Sequence, residues 1–318
     1  MRVWLFDKEG CHEAVSPDLP ALIADPNSIF WVDLTGEDVR TVHILTEQFH
    51  FHPLAVEDTL NERQRPKVEE YDGYLFTILN PVEYRDGELA FRELDAFVGV
   101  NYLVTVHDNN EPMIDTAINR IEKRGNSRLP LSSGYLLYVL VDLMVDSYFP
   151  IMDAIGDHID ELGEAILVTP RQTYLTTMFK LKRALSEMWR VTGQQRDMFT
   201  VLTREGDPFV NHDALRYYLR DVYDHLLRVS DSVNTFRDTL SNLIDLYLSS
   251  ASNRLNIVVK RLTVFTILFG AFAVITGFYG MNFLKTFPPF EADWGVPFVI
   301  VAMSVTGIVI LFTLGRDN

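Results

Sequence analysis

The spacing of apolar residues divides this chain into three stretches with different periods. In the first third, apolar residues come in short runs rich in β-branched and aromatic side chains, at 3–6, 29–32, 75–79, 96–100 and 103–106. Gly, Pro, Asp and Asn stand at or near their ends, so each run reads as a strand. Residues 37–49 and 112–123 carry helical patterns between and after them. A mixed α/β domain ending near residue 130 is predicted. From Ser132 the pattern turns helical with no clear strand signal. Residues 133–166 read as one long helix kinked at Pro150 and stopped by Pro170, and Gln172–Leu202 as a second.

The third stretch has the longest unbroken pattern. Leu215, Leu219, Val222, Leu226, Val229, Val233, Phe236, Leu240, Leu243 and Tyr247 recur at alternating four- and three-residue steps, a sustained heptad seam. No proline interrupts the chain between Asn211 and Asn282, so one helix of about 100 Å is predicted. A helix of that length needs partners, either the two preceding helices or copies of itself. Towards its end the seam turns polar through Ser249, Ser250, Ser252, Asn253 and Asn256, followed by Val259 and Leu262. The same phase then yields Thr263, Thr266, Gly270, Ala273, Gly277 and Gly280. Such a stripe fits close helix packing, since small residues let backbones approach. It equally fits the lining of a narrow pore. The polar collar below it favours the pore, because Asn256 gains little from facing lipid.

Two segments lack any charged side chain, 262–278 and 296–314. Each is close to the roughly 20 apolar residues that cross a bilayer, and nothing else in the chain reads as apolar enough. Arg254, Lys260 and Arg261 precede the first span and Arg316 follows the second, whereas the link between them carries Lys285 against Glu291 and Asp293. By the positive-inside rule both ends face the cytoplasm. The N-terminus lacks the apolar run of a secretory signal, and the single cysteine, Cys11, fits a reducing compartment. Lys+Arg 28 against Asp+Glu 44 leaves a net charge of -16, which argues against a nucleic-acid partner. The acidity serves solubility or draws cations to the membrane surface.

Between the spans stands Tyr279-Gly280-Met281-Asn282-Phe283. With 62–69 (Glu-Arg-Gln-Arg-Pro-Lys-Val-Glu), 220–225 (Arg-Asp-Val-Tyr-Asp-His) and 247–250 (Tyr-Leu-Ser-Ser), it resembles the CorA-type divalent-cation transport proteins, which include the zinc-transporting ZntB branch. The resemblance covers essentially the whole chain. It implies an α+β membrane protein assembled as a funnel-shaped homopentamer in the cytoplasmic (inner) membrane, with both termini in the cytoplasm. The layout would be a cytoplasmic α/β domain at 1–130, a helical and stalk region at 131–261, a pore-lining first transmembrane helix at 262–283, an outer loop at 284–293 and a second transmembrane helix at 294–314. It implies passive, gated passage of Mg2+, with Co2+ and Ni2+ as surrogates, inhibited by cytoplasmic cation; Zn2+ is the alternative cargo. Asn282, with Gly280 and Met281, would form the outer mouth and Asn256 the inner polar ring. Val259 and Leu262 would form the apolar gate, and Thr266, Gly270, Ala273 and Gly277 the lining. Asp221 would hold one side of a regulatory cation site between subunits, with Glu83 or Asp86 opposite.

Mg2+ gives up water reluctantly. A ring of amide oxygens can hydrogen-bond its hydration shell and still release it. An inside-negative potential favours entry by about 4.6 kcal/mol for two charges at 100 mV. Two departures from the family pattern bear on ion preference: Ala271 and Ala273 replace a proline and a threonine, and Phe287-Pro288-Pro289-Phe290-Glu291 replaces the usual outer loop. Other clusters read as structural. His50 and His52 mark a polar helix end before Pro53; Asp153, Asp157, Asp160 and Glu164, with Glu161 and His158 beside them, form a solvated helix face or a loose cation-attracting surface; Cys11 has only His12 beside it. No nucleophile with its base and no phosphate loop points to an enzyme. A membrane-anchored scaffold is the remaining alternative, and it would have no use for a polar collar continuous with a small-residue stripe.

Overall fold

The computed structural model describes the chain except residues 8–9, 37, 62–63, 86–87, 109–110, 125–129, 204–212, 282–292 and 316–318. It divides into two compact units, Met1–Ile244 and Asp245–Asn318.

The first unit is built on a seven-stranded sheet. Its strands are β1 (Arg2–Phe6), β2 (Cys11–Glu13), β3 (Ile29–Thr35), β4 (Lys67–Tyr71), β5 (Tyr74–Leu79), β8 (Leu94–Gly99) and β9 (Tyr102–His107). They lie in the order β2-β1-β3-β9-β8-β5-β4, antiparallel except for the parallel pair β3 and β9. Strands β6 (Val82–Arg85) and β7 (Glu88–Phe91) form a separate hairpin. Strands β5, β8 and β9 are buried at every position, so they read as unbroken apolar runs: both faces of the sheet are covered. On one face Phe30, Val32, Phe76, Phe97 and Val104 meet Leu45, Phe49, Phe51 and Ala55. Leu45 belongs to a π-helical turn at Ile44–Gln48 that follows α2 (Val39–His43), Phe49 and Phe51 to the link after it, and Ala55 to α3 (Pro53–Leu60), with α1 (Leu19–Ala24) beside them. Gly99 turns β8 into β9 under the ring of Tyr102, where any Cβ would collide.

The other face receives α4 (Pro112–Glu122), α5 (Ser133–Asp146), α6 (Tyr148–Val168) and α7 (Gln172–Leu202). Three contacts pin α5, α6 and α7 there: Ser133 Oγ donates to Gly99 O at 2.6 Å, Tyr148 to Asn80 O at 3.0 Å, and Thr77 contacts Met198 Sδ at 3.4 Å. Beneath this layer runs a buried polar chain. Trp31 Nε1 donates to Thr105, Thr105 donates to Asp33, and His107 and Arg2 close on the same carboxylate.

Three expectations are corrected. The single helix at 133–166 is two, divided at Ser147; Pro150 cannot donate to the carbonyl of Asp146, so the break falls just ahead of it. The helix at 37–49 is α2 followed by the π-helical turn, which ends at His50 with φ 53. A third segment is also apolar enough to span: Ser133–Val168 meets the length and composition of a membrane helix, yet 67% of its apolar window is buried inside the protein. It is core. Strands β2, β4, β6 and β7 and helices α1 and α3 went unread.

Helix α8 (Asp213–Tyr279) is unbroken for 67 residues. Within the first unit its seam is covered by the protein's own helices: Leu215, Leu219, Val222, Leu226, Val229, Val233 and Leu240 are all buried. Gly156 and Gly163 of α6 lie under Phe236 and Leu243, and Arg237 stacks on Trp189 of α7. The question of partners is answered here in favour of the preceding helices. The second unit holds the rest of α8 and α9 (Gly295–Gly315).

Candidate functional site: the distal half of the long helix

From Ser252 to Thr263 every residue of α8 is exposed, including Leu255, Ile257, Val258, Val259 and Leu262. At 3.6 residues per turn Leu255, Val258, Val259 and Leu262 fall on one face, with Arg254, Lys260 and Arg261 turned away from it, so an apolar stripe stands bare in the single chain. Further on, one face alone is partly covered: Val264, Leu268, Ala271, Phe272, Ile275 and Tyr279. Its cover is α9, whose least exposed positions are Val299, Ala302, Met303, Thr306, Gly307 and Ile310. Gly307 is buried against Leu268 and Phe272. Small residues on α9 let the two helices approach.

The candidate pore residues lie elsewhere. Asn256, Val259, Leu262, Thr266, Gly270, Ala273, Gly277 and Gly280 are all exposed. At 3.6 residues per turn their stripe stands roughly 180° round the helix from the face that α9 covers. Thr266 Oγ1 donates to Leu262 O at 2.9 Å, which returns the hydroxyl proton to the helix and leaves its lone pairs outward. At the end of α8, Gly280 N donates to Thr276 O and Met281 N to Phe278 O, so the helix closes immediately before Asn282. Asn282 itself lies outside the described residues, as do Asp86 and most of the outer loop.

The regulatory candidates occupy the first unit. Asp221 is exposed, and His225, one turn on, lies 3.7 Å from it and 3.6 Å from Asp146 at the end of α5. Phe149 sets its edge against the His225 ring. Sequence reasoning missed Asp146, because only the packing of α5 beside α8 brings it to His225; His225 itself stands in the 220–225 motif, one helical turn from Asp221. Glu83 is placed differently. Arg92 binds it at 2.6 Å and also reaches Glu111, the N-cap of α4, at 3.3 Å. Within one chain Glu83 is thus neutralised by Arg92. Among the described residues no three His, Cys, Asp or Glu side chains converge as a metal requires. His50 and His52 do not converge either: His50 Nδ1 contacts Thr46 O, and His52 Nδ1 accepts from Leu54 N as the cap of α3. The acidic side chains of α6 are solvated.

A family model described as CorA-like Mg2+ transporter protein matches residues 26–316. The chain belongs to the CorA-like Mg2+ transporter family. Among its relatives, the cobalt/magnesium transport protein CorA of Thermotoga maritima is 34% identical over 290 residues, covering 90% of this chain and 82% of that one. A putative metal ion transporter of Bacillus subtilis, YfjQ, is 34% identical over 285 residues, covering 88% and 86%. The fold agrees along its full length with the complete structure of the CorA magnesium transporter from Methanocaldococcus jannaschii. That match has a TM-score of 0.84 at 21% identity and covers 100% of this chain and 98% of the other. As a CorA-family chain it is a divalent-cation transporter with membrane-spanning apolar helices.

Proposed function

We propose that copies of this chain, five by family resemblance, assemble around the exposed stripe of α8 into a gated pore for Mg2+ in the cytoplasmic membrane. The observation that supports this most is the two-sidedness of α8: α9 covers one face, and the small and hydroxyl residues Thr266, Gly270, Ala273 and Gly277 stand on the opposite one. A lone hairpin anchor would expose only lipid-compatible side chains there. A ring of copies gives the stripe an aqueous side instead.

In this reading Asn282, beside Gly280 and Met281, meets the hydrated ion at the outer mouth, and Asn256 receives it at the inner end. Neutral amides hold water-clad Mg2+ weakly enough to let it leave. Val259 and Leu262 form the constriction between Asn256 and the span. Both termini are cytoplasmic. Cytoplasmic cation, held by Asp221 with Asp146 and His225 nearby and a carboxylate of a neighbouring copy, biases the pore to the closed state. Glu83 would take part only by giving up Arg92; Asp86 is the other candidate from the α/β domain.

The names of the Thermotoga relative and the family favour Mg2+ and Co2+ over Zn2+. Flux into liposomes carrying the purified protein, with Mg2+ or Zn2+ outside and with or without a proton gradient, tests the assignment. Potential-driven Mg2+ entry that ignores the proton gradient is expected. Zn2+ entry that requires the gradient, without Mg2+ entry, would transfer the protein to the zinc branch.

A further inference from the structure

Helix α9 does more than fill space beside α8. Gly307 of α9 is buried, and a Cβ built there would stand 3.4 Å from Phe272 Cζ and 3.5 Å from Leu268 Cδ1. Those distances are ordinary van der Waals contact, so one extra carbon fits, and carbons beyond it would press on Phe272 and Leu268. Leu268 and Phe272 sit on the covered face of α8, across the helix axis from Thr266, Gly270 and Ala273. A helix is stiff across its own diameter. Anything that pushes Phe272 therefore displaces Gly270 and Ala273 in the same direction, away from α9.

We propose that Gly307 is a positioning residue of the transport path: its missing side chain sets how far the pore helix stands from the pore axis. The inference rests on the pore reading of α8. In the assembly, bulk at position 307 drives α8 inward and narrows the passage at Gly270 and Ala273, with no change to any pore-facing residue. Phe272 transmits the displacement, so shortening it relieves the effect.

The test is a graded series, Gly307→Ala, Gly307→Val and Gly307→Leu, each alone and combined with Phe272→Ala. Mg2+ flux in liposomes is normalised to the assembled oligomer recovered by size-exclusion chromatography. Gly307→Ala is expected to keep flux within about twofold of wild type, and Gly307→Val and Gly307→Leu to lower it progressively, the last by roughly tenfold or more. Phe272→Ala is expected to restore most of the loss. A flat series per assembled oligomer would overturn the proposal, and so would a double variant no better than its parent. Failure of both larger variants to assemble would also overturn it, since that assigns Gly307 to stability alone. If wild type itself carries no divalent cation, the pore reading fails first, and that result is distinguishable because no variant need be read.

Discussion

Asp95 and Asp33 lie two strands apart in the same sheet and respond to pH in opposite senses. Asp95 is buried in β8, and its Oδ1 has no hydrogen-bond partner. Burial, reinforced by the charge of Glu93, pushes its pKa well above the usual carboxylate value. The folded state therefore holds this proton more tightly than the unfolded chain does. What Asp95 contributes is intact below the unfolded value of about 3.9 and is lost as pH rises above it. Burial would raise Asp33 too, but hydrogen bonding and charge from His107, with Thr105 and Arg2, outweigh it and hold its pKa below the usual value. Its contribution is present above the unfolded value and lost as pH falls through the folded one. Asp95→Asn is accordingly expected to raise Tm by about 3 °C at pH 8 and by less at pH 5. A lower Tm at pH 8 would show that the ionised carboxylate is matched by a partner. At the same scale, Asp221→Ala is expected to shift closure to higher internal Mg2+ while entry is retained. An inhibition curve identical to wild type, measured with Asp146→Ala added to remove the neighbouring carboxylate, would take Asp221 out of regulation. Asp221 was legible because its motif is contiguous. His225 stands in that same motif, but Asp146 was not legible, nor was the Arg92 clasp on Glu83, because each depends on elements that meet only in the folded unit.

Among the elements, α8 illustrates what a hydrophobic pattern can and cannot convey. The heptad seam predicted a long packed helix correctly, but a seam reads the same whether the partner is the chain's own helices or another copy. Up to Leu240 the partners are α5 to α7. Composition was ambiguous for Ser133–Val168 in the same way, since this segment too is long and apolar enough to span, though less apolar than the two C-terminal ones, and its burial marks it as core. The short strands β4 (Lys-Val-Glu-Glu-Tyr) and β7 (Glu-Leu-Ala-Phe) escaped notice because half-exposed strands carry polar residues at alternate positions. Beyond the seam, Leu262 is exposed in the single chain, and five copies would gather it into one apolar ring. A narrow apolar ring empties of water and blocks a hydrated ion. Leu262→Ser is expected to leak divalent cations at internal Mg2+ that closes wild type, and Leu262→Phe to close more tightly. A stable Leu262→Ser oligomer that still closes fully would remove Leu262 from the gate. Loss of the oligomer without leak would make it a packing residue.

For the whole molecule, the first unit is complete in one chain: its sheet is covered on both faces and its helices bury the seam. The second unit is not. Residues 252–263 leave an apolar stripe of Leu255, Val258, Val259 and Leu262 bare, and from Val264 onward α9 covers only one face of α8. That contrast is the physical reason to expect both a membrane and further copies around α8, and it was visible in the sequence as two uncharged segments behind a long seam. The central claim is that divalent cations cross through this stripe and past Asn282. Its most direct measurement is Mg2+ entry into liposomes under an inside-negative potential, comparing wild type with Asn282→Ala at equal amounts of assembled oligomer. Entry by wild type and its near-complete loss in an Asn282→Ala oligomer of normal size is the predicted result; equal entry by both would contradict it.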